Sequence, residues 1–133
     1  MKQQELTEKI IGCAMKVHST LVPGFLESVY QKALSYELNR FGLKVERERQ
    51  IEVHYDGVVV GDFSADLLVE DEVLLELEAN QAIVTANEVQ LVNYLTATGI
   101  EVGLLSNFGA ERLEFKRKVR IYRLPAQSME SIP

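Results

Sequence analysis

Ser64-Ala65-Asp66-Leu67-Leu68-Val69-Glu70-Asp71-Glu72-Val73-Leu74-Leu75-Glu76-Leu77-Glu78 decides the fold. Two apolar runs flank three consecutive acids. A loop at Glu70, Asp71 and Glu72 folds the runs into a hairpin. That register sets Val69 opposite Val73, Leu68 opposite Leu74, Leu67 opposite Leu75 and Asp66 opposite Glu76. Strand side chains alternate between faces. One face then carries Ala65, Leu67, Val69, Val73, Leu75 and Leu77, all apolar; the other carries Ser64, Asp66, Leu68, Leu74, Glu76 and Glu78. Three carboxylates share the second face. Opposed Cβ atoms lie ~4.5–5.5 Å apart, and opposed like charges destabilise a sheet. Such a cluster is solvated on a wet sheet face, takes up protons, or binds a cation. Oxygen-only ligands favour hard ions such as Mg²⁺, Mn²⁺ or Ca²⁺. A one-residue slip would put Asp66 and Glu76 on opposite faces.

The pattern on either side completes the element order. Leu6, Ile10, Ala14, Val17 and Leu21 form a helical stripe over 5–21, with Thr7 as a candidate cap. Val22-Pro23-Gly24 breaks it. A second helix is predicted from Phe25 to Phe41, ended by Gly42, with Leu26, Val29, Ala33, Leu34 and Leu38 facing the core. Lys44–Tyr55 alternates as a strand, and Asp56-Gly57 turns it into a second strand, Val58–Val69. Val73–Ala79 is the third. Thr85-Ala86-Asn87-Glu88 has the form of a capping box opening a helix over Ala86–Thr98, which Gly99 ends. Glu101–Phe108 is a short apolar strand. Leu113–Leu124 supplies one or two more, and 125–133 reads as a flexible tail. The order α-α-β-β-β-α-β-β describes an α/β fold, a mixed sheet flanked by helices.

The chain of 133 residues fits one domain spanning 1–133. Hydrophobic residues make up 47% and charged residues 26%, as in a globular protein and unlike a disordered one. No apolar run approaches the ~18 residues of a membrane span, and MKQQELTEK is too polar for a signal peptide. A single cysteine excludes an internal disulfide and any multi-cysteine metal site, so the expected location is cytoplasmic. The net charge is −6, unevenly spread. Residues 1–114 carry 19 acids and 9 bases, whereas 115–133 carry five bases and one acid. Overall acidity opposes tight phosphate binding.

Four ordered motifs resemble one family. Gly24-Phe25-Leu26-Glu27-Ser28-Val29-Tyr30 matches the pattern that names the GxxExxY proteins. Ala65-Asp66-Leu67-Leu68-Val69 with Glu76-Leu77-Glu78-Ala79, then Asn87–Leu95, then Gly103–Gly109, match the family's next blocks. The resemblance covers roughly residues 5–122. That family is similar to the PD-(D/E)XK nucleases, with their restriction-endonuclease-like fold. The resemblance implies a Mg²⁺- or Mn²⁺-dependent nuclease hydrolysing phosphodiester bonds of DNA or RNA. It places Asp66 and Glu76 as metal ligands, Glu27 as a helix-borne acid of the site, and Gln90 and Tyr94 as a Gln-x-x-x-Tyr pair. At position 78 the family has Lys where this chain has Glu78. Glu78 then acts as general base or extra ligand, or else the site is degenerate and the protein is a nucleic-acid- or protein-binding module. An oligomeric scaffold is a third reading.

Each candidate also has a plainer role. Glu27 suits any helix N-terminus. Gln90 and Tyr94 share a helix face, where they contact nucleic acid, hydrogen-bond Glu76 or simply pack. Lys116 and Lys118 contact phosphate or line an exposed strand. His18 reads as structural, Tyr30 as core with an anchored hydroxyl, and Cys13 as a small buried residue.

Overall fold

A computed structural model describes residues 3–120. The helices are α1 (Gln4–Leu21), α2 (Glu27–Arg40) and α3 (Thr85–Thr98). The strands are β1 (Val45–Tyr55), β2 (Val58–Val69), β3 (Val73–Glu78), β4 (Val102–Asn107) and β5 (Glu114–Val119). They form one five-stranded sheet in the order β1-β2-β3-β4-β5. Only β3 and β4 are parallel, and α3 makes the crossover between them. The element order is the one expected from the sequence. The expected tail at 125–133, and the end of the last expected strand beyond Arg120, lie outside the described residues.

The sheet is buried on both faces. On one, Leu67, Val69, Val73, Leu75 and Leu77 pack with Ile10, Ala14 and Val17 of α1 and Tyr30, Leu34 and Leu38 of α2. On the other, Leu68, Leu74 and Leu105 meet Leu91, Tyr94 and Leu95 of α3. The face that carries the acids is therefore not a wet face: α3 covers its middle. Ala65 departs from the expected alternation. It joins Leu68 and Leu74 under α3 instead of Leu67 and Val69. Here β1 and β2 pair Arg47 with Leu67 and Arg49 with Ala65, and no Glu48–Asp66 pair lies between. Glu48 takes a left-handed backbone, φ 54°, which a non-glycine residue adopts only under strain.

Helix boundaries also shift. Gln3, not Thr7, caps α1; Thr7 is buried and its hydroxyl donates to the Gln3 carbonyl at 2.7 Å. Helix α2 begins at Glu27 after Leu26, so Phe25 and Leu26 stay outside it and exposed, Leu26 at 78%. Phe41 occupies the C-cap of α2, ahead of Gly42. At α3 the cap is Val84, not Thr85. The residue that reaches back is Asn87, whose Oδ1 accepts from the Val84 N–H at 3.2 Å. Glu88 instead binds Lys118 at 2.6 Å and Lys116 at 3.7 Å.

Candidate functional site

The hairpin register is as read from the sequence at its turn end: Val69–Val73, Leu68–Leu74 and Leu67–Leu75 pair. The ladder then stops. Asp66 and Glu76 are not a ladder pair; the backbones part, and each carboxylate reaches across to the other strand. Glu76 Oε2 accepts from the Asp66 N–H at 2.8 Å, and Asp66 Oδ2 accepts from the Leu77 N–H at 2.7 Å. The acids thus satisfy the N–H groups that the parting strands release.

Burial sets the electrostatics. Glu76 is only 6% exposed, and Asp66 and Glu78 are half-buried. Desolvation pushes the Glu76 carboxyl up to about 8, with the charge of Asp66 adding to the effect. Desolvation likewise pushes Asp66 to about 6, opposed by the bond from Leu77 and reinforced by Glu27 and Glu48. Glu78 rises to about 7, again chiefly through burial, then through Glu27, whose carboxyl lies within hydrogen-bonding reach. None of these five acids forms an ion pair among the described residues.

The helices supply the remaining contacts. Glu27, the first residue of α2, is exposed and faces Glu78. One turn on, buried Gln31 donates through Nε2 to Glu48 Oε1 at 2.9 Å and to the Asp66 carbonyl at 3.3 Å. From α3, Gln90 donates to Glu76 Oε1 at 3.2 Å and to the Tyr94 hydroxyl at 3.0 Å. Asn87 Nδ2 donates to Glu78 Oε1 at 3.0 Å. Below Glu78, buried Asn107 holds the following loop by accepting from Asn80 N–H at 3.0 Å and Gly109 N–H at 3.1 Å. A Cβ at Gly109 would collide with the Ala79–Asn80 backbone, so glycine lets the two loops touch.

Asp66, Glu76, Glu78, Glu27, Gln90 and Tyr94 are therefore brought together. Lys116 and Lys118 are not: both sit on Glu88. His18 is a satisfied structural residue, its Nε2 2.8 Å from the Ala110 carbonyl oxygen. The buried Tyr30 hydroxyl donates to the Val22 carbonyl at 2.6 Å, and Cys13 is buried. Glu48, Gln31 and Asn87 were missed as site residues. Gln31 stands four residues after Glu27, and Asn87 three before Gln90; that helical spacing was the available signal.

Hard carboxylate oxygens without a cationic partner suit a divalent cation. Among the described residues, no group of three or more His, Cys, Asp or Glu side chains is arranged to hold a metal ion. Two carboxylates are, however, what Mg²⁺ commonly takes from protein, with water and substrate phosphate completing its shell. The donor set fits such an ion, with Asp66 and Glu76 as the pair.

Fold and site define a class: a mixed sheet between helices, with acids collected where two central strands part. Residues 4–118 match the family model of the PD-(D/E)XK nuclease superfamily, and the chain belongs to that superfamily. Among solved structures it is similar to SSO0001, at 16% identity and TM-score 0.49, over 72% of this chain and 50% of that one. It is also similar to an alkaline exonuclease (LHK-Exo) from Laribacter hongkongensis, at 15% identity and TM-score 0.44, over 77% and 59%. The chain spans between half and three fifths of the length of these two structures. No curated protein sequence matches it. Among the described residues, no helix is long and apolar enough to cross a membrane.

Proposed function

We propose that the chain is a divalent-metal-dependent nuclease that hydrolyses phosphodiester bonds of DNA or RNA. The observation that carries this reading is the gathering of Asp66, Glu76 and Glu78, desolvated and with no ion-paired side chain among the described residues, where β2 and β3 part. Membership of a nuclease superfamily whose members generally use divalent metals supports it. The Gly24–Tyr30 pattern supports the narrower GxxExxY assignment.

In this reading Asp66 and Glu76 hold Mg²⁺ or Mn²⁺. When bound, such an ion polarises the scissile phosphate and makes water more acidic. Glu78 accepts the proton of the attacking water; a carboxyl pushed up to about 7 is well matched to proton transfer near neutrality. Glu27 faces Glu78 from the start of α2. Gln90 orients Glu76 and leaves the Tyr94 hydroxyl free to donate toward substrate. Lys116 and Lys118 would have to leave Glu88 to reach a phosphate.

The test is cleavage of single- and double-stranded DNA and RNA with Mg²⁺ or Mn²⁺, alongside Asp66→Ala. Metal-dependent cleavage that Asp66→Ala abolishes is expected. A folded wild type that cleaves none of them overturns the reading. One observation favours a second reading, a degenerate binding module: both Glu76 oxygens already accept hydrogen bonds, and position 78 lacks a cation. It predicts nucleic-acid or protein association without turnover.

A further inference from the structure

Two side-chain amides donate to Glu78, on which the Glu27 carboxyl also bears. Asn87 Nδ2 donates to Glu78 Oε1 at 3.0 Å, and Asn80 Nδ2 approaches Oε2 at 3.4 Å. The Asn87 amide has only one workable orientation. Its Oδ1 accepts from the Val84 N–H that opens α3. A flipped amide would set its oxygen against the Glu78 carboxylate and its NH₂ against that N–H. The start of α3 thus fixes the amide, and the amide fixes the carboxylate.

We propose that Asn87 is a positioning residue for the carboxylate at position 78: the start of α3 fixes its amide, and the amide holds Glu78. The role rests on the nuclease reading only where it touches catalysis; the match between Asn87 and Glu78 stands apart from turnover.

Asn87→Asp separates the two jobs of the side chain. It keeps an acceptor for the Val84 N–H and removes the donor to Glu78. The experiment measures unfolding temperature at pH 8.5 for the wild type, Asn87→Asp, Glu78→Lys and the double variant. Any gain from a new acid near the N-terminus of α3 is common to both backgrounds and cancels. Asn87→Asp should be less favourable in the wild type than in the Glu78→Lys background by about 3–6 °C. Equal shifts in the two backgrounds would show that Asn87 is only a helix cap and overturn the proposal. If Glu78→Lys does not fold, Glu78→Gln replaces it. The penalty of Asn87→Asp must then shrink relative to wild type, and an unchanged penalty is again fatal.

Turnover supplies the second readout. Asn87→Asp should lower kcat at least about tenfold with KM little changed, because a second sphere of support orients rather than binds. A wild type without activity would remove the nuclease reading and leave the stability comparison intact. Coupled stabilities together with an unchanged kcat would overturn the positioning role.

Discussion

The two ends of the β2–β3 hairpin obey opposite rules. At the turn end, Leu67, Leu68 and Val69 pair with Leu75, Leu74 and Val73, and all six side chains are buried among apolar neighbours. Backbone groups satisfy each other, and side chains only fill space. Three residues away the ladder stops, and carboxylates satisfy the backbone N–H groups instead. There the side chains hold charge that burial opposes. One end stabilises the fold; the other is held in place by it. Substitutions at the two ends should therefore separate stability from activity.

The largest contrast is expected from Asp66→Asn. The amide keeps an oxygen for the Leu77 N–H, so the backbone bond survives. Metal-dependent cleavage should fall on the order of 10²–10³-fold, while the unfolding temperature at pH 8 holds or rises because a half-buried charge is gone. A variant that loses both activity and stability would erase the distinction between the ends.

Leu75→Ala probes the other end. Leu75 is fully buried opposite Leu67, and its truncation should cost about 2–5 kcal/mol in urea unfolding. Cleavage per folded molecule should stay within a few fold. A turn-end variant that unfolds no more easily than wild type would break the comparison from that side.

Acid titration sharpens it further. Asp66, Glu76 and Glu78 are raised from 3.8, 4.5 and 4.5 to about 6, 8 and 7. Between the lower and upper values the folded state binds protons that the unfolded chain has released. Stability therefore falls as pH rises through this window, and the loss is nearly complete a little above pH 8. The metal-free wild type should melt about 5 °C lower at pH 8.5 than at pH 5.5. Glu76→Gln should remove the largest share of that slope. A melting temperature flat across the window would mean that the acids are better solvated than their burial indicates.

The smallest effect is expected from Gln90→Leu. It removes one donor from Glu76 and one from Tyr94, for a loss of about 0.5–1.5 kcal/mol. Urea unfolding at pH 8.5, where Glu76 is mostly charged, is the condition in which that loss is largest.

Much of this is legible in the amino-acid sequence. The periods of two and 3.6 gave the element order, and three acids between two apolar runs gave the turn and its register. The parting of the strands was not legible. Alternation carries Asp66 directly opposite Glu76, whereas a buried and a half-buried carboxylate are better served by reaching past each other to free N–H groups. Nor does alternation anticipate the left-handed Glu48, beside which Ala65 turns to the α3 side. The polar parity of the hairpin suggested a wet face, because a sequence does not say which helix lies over which side. Leu68 and Leu74, on that same parity, were the hint that something would cover it. Asn87 stood inside a motif read as a capping box, with the cap one residue too late and the wrong side chain reaching back.

The central proposal is that Asp66 and Glu76, with Glu78 beside them, are the residues that take up a divalent cation. The most direct measurement is the unfolding temperature at pH 8 as Mn²⁺ is added, for the wild type and Asp66→Asn. The wild type should rise by several degrees and saturate, since an ion that binds only the folded state stabilises it, and Asp66→Asn should lose most of that rise. The same shift in both proteins, or none in the wild type, would contradict the claim.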